Sequence, residues 1–261
     1  MLKVDRHARI LDHLAETGSV NVQDLTELLT VSGATIRRDL QFLHARGLLE
    51  RTHGGAVSTA QYAGPGTRGK GLELPMLHRS GQRRVEKRRT AVLAAALVPD
   101  GAVVGMTGGT TVTEVARILA SRQGLTIVTN AVNIAAELVG NPGVRLVVIG
   151  GNARSASYEL VGPITERTLS EYHFDITFMG VDGLTPEEGC TTHDEMEAHT
   201  DRAFLQSSTR SVVVTDSSKL GKVTFAGICP LSSIDVLVTD KQADTELIKA
   251  VRARGVTVSL A

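Results

Sequence analysis

Residues 102–260 alternate short apolar runs with helical patterns, and this alternation restricts the possible folds more than any other feature of the sequence. The apolar runs are rich in β-branched residues and have strand length; they lie at residues 102–106, 125–129, 144–149, 174–179, 212–215, 234–238 and 256–260. Helical patterns lie between several of them, at residues 111–120, 134–139, 197–206 and 245–254. Such alternation is typical of a mostly parallel sheet covered by helices. We therefore predict a large α/β domain.

A glycine- and threonine-rich loop, MTGGTT at residues 106–111, joins the first predicted strand to the next helix. Glycines let a backbone approach an anion, the amides and helix dipole attract it, and threonine hydroxyls add donors. The loop lacks the lysine-containing pattern of nucleoside triphosphatases and the GxGxxG pattern of dinucleotide-binding proteins. Taken alone, it is explained as well by a tight turn.

Four further predicted strands end in polar or glycine-rich loops. Asn130 follows the second strand, Gly151 the third, Asp182 the fourth and Lys219 the fifth. Each alone is explained by a turn or a cap, but carboxyl ends of parallel strands meet at one sheet edge, where ligands bind. Asp182 could bind sugar hydroxyls, and Lys219 could supply a positive charge to a phosphate. The predicted effector-binding residues are Gly108, Gly109, Thr110, Thr111, Asn130, Gly151, Asp182 and Lys219.

The segment at residues 31–57, VSGATIRRDLQFLHARGLLERTHGGAV, predicts a helix followed by a two-stranded wing. Ser32 is a good N-cap, and three apolar residues recur after it at four- and three-residue spacing, on one face. A Gly-Gly pair marks the turn of the wing. Two helices are predicted before this segment, at residues 2–16 and 22–29, which together give a winged helix-turn-helix domain.

The face of the third helix opposite its apolar stripe carries Arg37 and Arg38 beside small residues. Arginine can bind a guanine edge with two hydrogen bonds, and small neighbours let a helix approach the major groove. The alternative is an ordinary amphipathic helix whose arginines are only solvated. The residues predicted to contact double-stranded DNA are Ser32, Ala34, Thr35, Arg37, Arg38, Gln41, Arg51 and His53.

The formal net charge of zero conceals an uneven distribution of charge. Residues 1–58 carry seven Lys/Arg and seven Asp/Glu, residues 59–90 carry eight and two, and residues 91–261 carry thirteen and nineteen. A neutral head is not typical of a strong non-specific DNA binder. Specific binding would then depend on a few arginines, on the basic segment and on pairing of two heads.

Glycine, proline and charge patterns indicate the domain boundaries: a DNA-binding domain at residues 1–58, a linker at 59–78 and an effector-binding and oligomerisation domain at 79–261. The second domain begins with a basic run, RSGQRRVEKRR at residues 79–89, which should open a helix that continues to residue 98. This run could contact DNA phosphates, border an effector site or form a solvated helix face; the sequence leaves all three open.

Composition excludes several classes of protein. Only 3% of residues are aromatic and none is Trp, so the aromatic platforms of single-strand binders are lacking. No signal peptide and no membrane-spanning run is evident, so we expect a cytoplasmic protein with no membrane partner. Cys190 and Cys229 give neither a disulfide framework nor a metal-ligand cluster, and we interpret both as small apolar residues. We expect no metal and no cofactor.

The motifs VSGATIRRDL and GLLERTHGGAV resemble the DeoR family of bacterial transcription regulators, and VTNAVNIAAEL and DSSK continue the resemblance. The resemblance implies a winged helix-turn-helix followed by a domain that senses phosphorylated sugars, with the Gly-Thr-Thr loop as phosphate cradle. It also implies a sensor similar in fold to ribose-5-phosphate isomerase and glucosamine-6-phosphate deaminase.

One difference from the isomerase and one departure from the family limit what the resemblance implies. The isomerase has a Lys-Gly-Gly-Gly-Gly-Ala run, whereas residues 185–192 here read TPEEGCTT, with no lysine and no glycine cluster. Glu187, Glu188 and Glu195 could in principle act as bases, but the companion lysine is missing. Asp201 also stands where the family more often has a lysine, which puts an anion contact from that helix in doubt.

We therefore expect a DNA-binding transcriptional regulator, a repressor of carbohydrate genes that responds to a phosphorylated sugar and acts as a homo-oligomer, dimer or tetramer. The alternatives are an activator of the same architecture, a sugar-phosphate enzyme with an accessory DNA-binding domain, and a DNA-binding scaffold with a vestigial sensor. A rise in transcription would distinguish the activator from a repressor, and turnover of a sugar phosphate would reveal the enzyme.

Overall fold

The computed structural model describes residues 3–57, 73 and 76–261. The chain divides into two compact units, Met1–Gln82 and Arg83–Ala261. The predicted linker lies mostly outside the described residues, as does the first residue of the first predicted helix. The boundaries at residues 58 and 78 therefore stay predictions.

The N-terminal unit is a small helical domain with a three-stranded antiparallel sheet. Its elements are α1 (Lys3–Thr17), β1 (Ser19–Asn21), α2 (Val22–Leu29), α3 (Gly33–Ala45), β2 (Glu50–Thr52), β3 (Gly55–Val57) and α4 (Met76–Arg79). The strands pair in the order β1-β3-β2. The predicted three helices and wing are confirmed, and β1 is an unpredicted addition, because three residues are too few to give a periodic signal.

The core of this unit is formed by the apolar stripes of its helices. The buried side chains from α1, α2 and α3 are Ile10, Leu11, Leu14, Leu25, Leu29, Ile36, Leu40 and Leu43. The three-residue and four-residue spacing of these side chains is what places them on one face of each helix. The opposite face of α3 is consequently exposed.

The second unit is an α/β domain. It contains α5 (Arg84–Ala95), β4 (Val103–Met106), α6 (Thr110–Leu119), β5 (Leu125–Thr129), α7 (Val132–Leu138), β6 (Val144–Val148), β7 (Asn152–Arg154), β8 (Glu159–Val161), α8 (Pro163–Leu169), β9 (Ile176–Met179), β10 (Gly183–Thr185), β11 (Gly189–Thr192), α9 (Glu195–Gln206), β12 (Ser211–Val214), β13 (Ala226–Cys229), β14 (Val236–Thr239), α10 (Thr245–Ala253) and β15 (Thr257–Leu260). Short 3₁₀ turns, Ser217–Lys219 and Leu231–Ser233, follow β12 and β13.

Seven strands form one parallel sheet in the order β15-β14-β12-β9-β4-β5-β6, which confirms the predicted fold class. Successive residues of a strand face opposite sides: Val212 and Val214 join the cluster under α5, α6 and α7, whereas Val213 joins the cluster with α10. The order reverses between β4 and β9, and open α/β sheets bind ligands at such a switch point.

Several features of this unit differ from the sequence prediction. The helix of the basic run begins at Arg84, because Arg83 has a left-handed backbone with φ of 49° and interrupts the helical path. The helix ends at Ala95 and not at residue 98. The β7–β8 hairpin, α8 and a small sheet of order β10-β11-β13 were not predicted. These strands and this helix are only three to seven residues long, which is too short for either a helical or a strand period to show clearly. Across the described ranges, no helix combines the length and apolar character that a membrane span needs.

Candidate functional site

The exposed face of α3 presents the predicted DNA-contacting residues together. Ser32 caps the helix: the Thr35 amide donates to its hydroxyl oxygen at 3.3 Å, and the two side-chain hydroxyls lie 3.0 Å apart. Ala34, Arg37, Arg38 and Gln41 are exposed further along the same helix, and Thr35 is half-buried. The face thus combines small residues at its start with two unburied guanidinium groups, which suits entry into a major groove.

Asp39 connects α3 to α1 and was not predicted from the sequence. Its carboxylate, 2% exposed, accepts hydrogen bonds from Arg6 Nη2 at 3.0 Å and lies 2.8 Å from His7 Nε2. Burial would raise the pKa of Asp39, but the hydrogen bonds from Arg6 and His7 outweigh it and hold that pKa below its usual value. The ionised carboxylate therefore fixes the orientation of α3 within its unit.

The wing is a tight hairpin whose position depends on two glycines. Gly54 has φ of 88°, a conformation that other residues adopt with strain. A Cβ on Gly55 would lie 2.0 Å from the Val20 carbonyl oxygen, so only glycine lets β3 approach β1 this closely. Arg51 and His53 are exposed on β2 and on its turn, available to a ligand such as the DNA backbone.

In the second unit, the strand order brings four of the predicted loops to consecutive positions on one sheet edge. Lys219 follows β12, Asp182 follows β9, the Gly108–Thr111 loop follows β4, and Asn130 follows β5. Lys219 Nζ donates to Asp182 Oδ1 at 3.0 Å. The β4 and β9 loops also touch, since the Gly180 amide donates to Thr107 Oγ1 at 3.2 Å.

A buried carboxylate, Glu159 on β8, reaches the glycine loop from the unpredicted hairpin. The Gly108 amide donates to Glu159 Oε1 at 2.7 Å, and Asn130 Nδ2 lies 3.3 Å from the same oxygen. Asn130 is fully buried and also donates to the Leu160 carbonyl at 3.0 Å. Asn130 therefore holds the hairpin rather than projecting to solvent, and one amide of the expected anion cradle already donates to the Glu159 carboxyl group.

Gly151 is not brought to the other predicted residues by any described contact. It follows β6, the strand at the end of the sheet, and a Cβ there would lie 2.0 Å from Thr165 Oγ1 on α8. Its small size is thus explained by close packing of the loop against α8. The amides of Gly109, Thr110 and Thr111 lie at the start of α6, where first-turn amides have no partner within the helix.

Four buried acids, Glu159, Asp182, Glu197 and Asp201, lie close enough to interact behind this edge. Burial, together with the charges of Glu159 and Asp182, raises the pKa of Glu197 to about 8, although Arg154 opposes the shift. Burial and the neighbouring acids also raise the pKa of Asp201 well above its usual value. Asp201, which stands where the family more often has a lysine, is buried on α9.

Polar contacts connect this acid cluster to the strands around it. Thr192 Oγ1 donates to Glu197 Oε1 at 2.7 Å and lies 3.3 Å from Asp182 Oδ2. Arg154 Nη1 donates to Glu197 Oε2 at 2.9 Å. Glu197 and Asp182 thus share one hydroxyl, so a change at Asp182 can reach Glu197 through a single side chain.

Arg83 is a second cation at the sheet edge, which the sequence indicated only as part of the basic run. Its Nη2 donates to Ser217 Oγ and to Gln242 Oε1, each at 2.8 Å, and its Nε lies 3.4 Å from Asp216 Oδ1. Of the three interpretations of the basic run, Arg83 fits the border of an effector site. Arg84, Arg88 and Arg89 remain exposed on α5.

Comparison with known proteins accounts for both units. The DeoR-like helix-turn-helix domain matches residues 6–62, and the DeoR C-terminal sensor domain matches residues 82–241. The chain belongs to the DeoR family. As a member, it is a DNA-binding transcription regulator with a sensor domain.

Relatives match the DeoR-family chain over nearly its whole length. The HTH-type transcriptional regulator GlpR of Haloferax volcanii is 35% identical, over 99% of this chain and 98% of its own. The glycerol-3-phosphate regulon repressor of Escherichia coli K12 is 30% identical, over 92% of each chain. A solved ribose 5-phosphate isomerase of Methanocaldococcus jannaschii aligns with a TM-score of 0.37 and 21% identity, over 51% of this chain and 53% of its own. A TM-score of 0.37 is too low to establish a shared fold, so the likeness to the isomerase fold stays a prediction.

Proposed function

We propose that this regulator is a repressor of carbohydrate genes and that a phosphorylated sugar at the carboxyl edge of its sheet controls operator binding. The observation that carries this proposal is the convergence of the β4, β9 and β12 loops, with Lys219 paired to Asp182 beside the start of α6. A relative named as the glycerol-3-phosphate regulon repressor supports the proposal that this chain is a repressor of such genes.

Each part of a sugar phosphate has a matching group at this edge. The amides of Gly109, Thr110 and Thr111 and the positive end of α6 suit the phosphate. Lys219 supplies a charge that is partly exposed, at 26% of its side chain. Asp182 offers acceptors for sugar hydroxyls. Because Glu159 already accepts from Gly108, we place the phosphate at the later amides of the loop.

The same geometry favours binding without turnover. The candidate bases Glu187 and Glu188 lie on the exposed turn between β10 and β11, and Glu195 is exposed at the start of α9. A general base must reach the proton that it removes and benefits from a tuned environment. These three carboxylates have the solvent exposure of ordinary surface groups. We therefore propose a regulator that is not an enzyme.

We also propose that the active form is a homo-oligomer. A winged helix-turn-helix that reads a symmetric operator uses two heads, placed on half-sites one helical turn or a multiple of it apart. A sugar phosphate releases the operator if it binds more tightly to an arrangement whose heads no longer match that spacing.

Thermal stability against a panel of phosphorylated sugars and their unphosphorylated parents tests the effector site. A ligand at a hundred times its dissociation constant should add about 2.7 kcal/mol of stability, enough for a clear rise in Tm. We expect one or two phosphates to raise Tm and their parents to leave it unchanged. No shift with any phosphate would remove the proposed sensor function and leave the DNA-binding assignment standing.

A further inference from the structure

The two cysteines of the chain, which are 39 positions apart, lie directly opposite each other in the small sheet. Cys190 is on β11 and Cys229 is on β13; the strands are antiparallel, and their register pairs these two residues. Gly189, with φ of 72°, lets the strands approach, since a Cβ there would lie 2.2 Å from the Cys229 carbonyl oxygen. The long sequence separation conceals this pair from any local motif.

The spacing of the pair suits a covalent bond. Opposite residues of an antiparallel ladder have Cα atoms about 4.5–5.5 Å apart, within the range of about 4.4–6.8 Å over which disulfides form. The register of the β11–β13 ladder shifts just after this pair, between Cys190 and Thr191. Both thiols are free, and both lie in the same buried apolar cluster. The two cysteines therefore face each other across adjacent strands within one cluster, which is the arrangement that a cross-strand disulfide needs.

The two thiols differ in their surroundings. Cys190 is fully buried among apolar side chains, and the neighbouring Cys229 thiol together with burial raises its pKa well above the usual value. Cys229 is 9% exposed, and the neighbouring Cys190 thiol, helped by the positive charge of Arg202, lowers its pKa. Arg202 lies beside β13 because its guanidinium donates to the Ile228 and Gly227 carbonyls, each at 2.9 Å. Because Cys229 is also the more exposed of the two thiols, we expect it to meet an oxidant first.

We propose that Cys190 and Cys229 are a peroxide-sensitive dithiol that closes to a disulfide across the β11–β13 ladder. The Cys229 thiolate attacks one oxygen of hydrogen peroxide, the O–O bond breaks, and the other oxygen leaves as hydroxide, which is protonated to water. Cys229 is then a sulfenic acid. The Cys190 sulfur attacks the Cys229 sulfur, the S–O bond breaks, and the hydroxide leaves with the Cys190 proton as a second water. Two thiols lose two electrons in all, and one peroxide gains them.

The position of the pair gives the disulfide a structural consequence. β11 also carries Thr192, whose hydroxyl donates to Glu197 and contacts Asp182. A cross-link from the preceding part of β11 to β13 restrains the strand that holds this network. The disulfide would also raise Tm, because it restricts the unfolded chain between the two cysteines.

Mass spectrometry of the full-length protein tests the proposal. The reduced protein is treated with hydrogen peroxide, quenched with catalase, denatured and exposed to N-ethylmaleimide. A separate sample of reduced glutathione receives the same peroxide dose, and its oxidation shows that the dose was sufficient. We expect a mass lower by two hydrogen atoms, no maleimide uptake, and a cross-link between the tryptic peptides 168–202 and 223–241. Dithiothreitol should restore uptake at both cysteines.

The single variants test the order of the two steps. Cys190→Ser should stop at the Cys229 sulfenic acid, which dimedone traps, whereas Cys229→Ser should leave Cys190 as a thiol at the same peroxide dose. The oxidised wild type should melt at a higher temperature than the reduced protein, with no such rise in either variant. Full maleimide uptake after a dose that oxidises glutathione would overturn the proposal, and so would only intermolecular disulfides or sulfinic acid.

Discussion

At the scale of single residues, the surroundings of the Glu197 carboxyl group in the sensor domain oppose its ionisation. Glu197 is 7% exposed on α9, with Asp182 and Glu159 as acidic neighbours and Arg154 as the nearby cation. Burial is the largest cause that raises its pKa, from 4.5 to about 8. The folded protein therefore retains a proton that the unfolded chain releases across this window.

The sign of the resulting pH dependence follows from linkage. Since the folded pKa of Glu197 is above the unfolded one, its contribution to stability is fully present below about pH 4.5 and is lost as pH rises to about 8. This loss approaches about 1.4 kcal/mol per pH unit within the window. We predict that Glu197→Gln, which stays neutral, flattens the fall in unfolding free energy between pH 5 and pH 8.

Urea denaturation followed by tyrosine fluorescence measures this effect, because two of the three tyrosines, Tyr158 and Tyr172, are in the sensor unit. Glu195→Gln is the matched control, as Glu195 is exposed in the same helical turn. It should keep the wild-type slope. An equal slope in Glu197→Gln and the wild type would show that Glu197 ionises normally.

At the scale of elements, α3 combines a fixed inner face with an exposed outer face. The inner face is held by apolar packing and by Asp39, which accepts from Arg6 on α1. Because the helix is held within its unit, loss of an outer side chain should change DNA contact and leave the fold intact. Because the net charge of residues 1–58 is zero, each exposed arginine of α3 should contribute a large part of the attraction to DNA.

We predict that Arg37→Ala and Arg38→Ala each weaken operator binding by about 1–3 kcal/mol, as loss of an arginine that contacts a base or phosphate does. Electrophoretic mobility or fluorescence anisotropy at fixed salt measures the affinity. Arg254→Ala removes the same charge from an exposed site in the other unit and should leave affinity unchanged. Unchanged operator affinity in both α3 variants would mean that another face binds the DNA.

At the scale of the whole molecule, function requires communication between two units that fold around separate cores. The effector must bind with different affinity to the DNA-binding and the released arrangement, or it would shift nothing. If the effector releases the operator, as we propose, linkage requires that operator DNA lowers effector affinity by the same factor.

We predict that Lys219→Ala retains the operator affinity of the wild type but no longer responds to the sugar phosphate that raises wild-type Tm. The physical reason is that Lys219 supplies the charge for the phosphate and lies in the sensor unit, outside the DNA-binding head. Anisotropy titration of operator DNA with and without the effector measures this. Lys249→Ala, an exposed lysine on α10, should respond normally. Normal release in Lys219→Ala would contradict the assigned role of Lys219.

The sequence by itself determined the features that depend on neighbouring residues. The Ser32 cap, the apolar stripe of Ile36, Leu40 and Leu43, and the glycine turn of the wing follow from local chemistry and from the helical period. The seven strands were predicted within two residues of their observed bounds, because buried β-branched runs are a strong signal. Because the carboxyl ends of parallel strands meet at one sheet edge, the sequence also predicted that Asp182 and Lys219 lie close together, as they do.

Only the tertiary structure decided the contacts between residues far apart in the chain. Glu159 reaches Gly108 from a hairpin too short to give a pattern, Arg6 meets Asp39 across two helices, and Cys190 faces Cys229 across two strands. Charged, hydrogen-bonding and thiol side chains can be recognised in a sequence, but no periodic pattern shows which distant residue each of them contacts. Burial and pairing set the ionisation of these groups, and both arise only when the core closes around them.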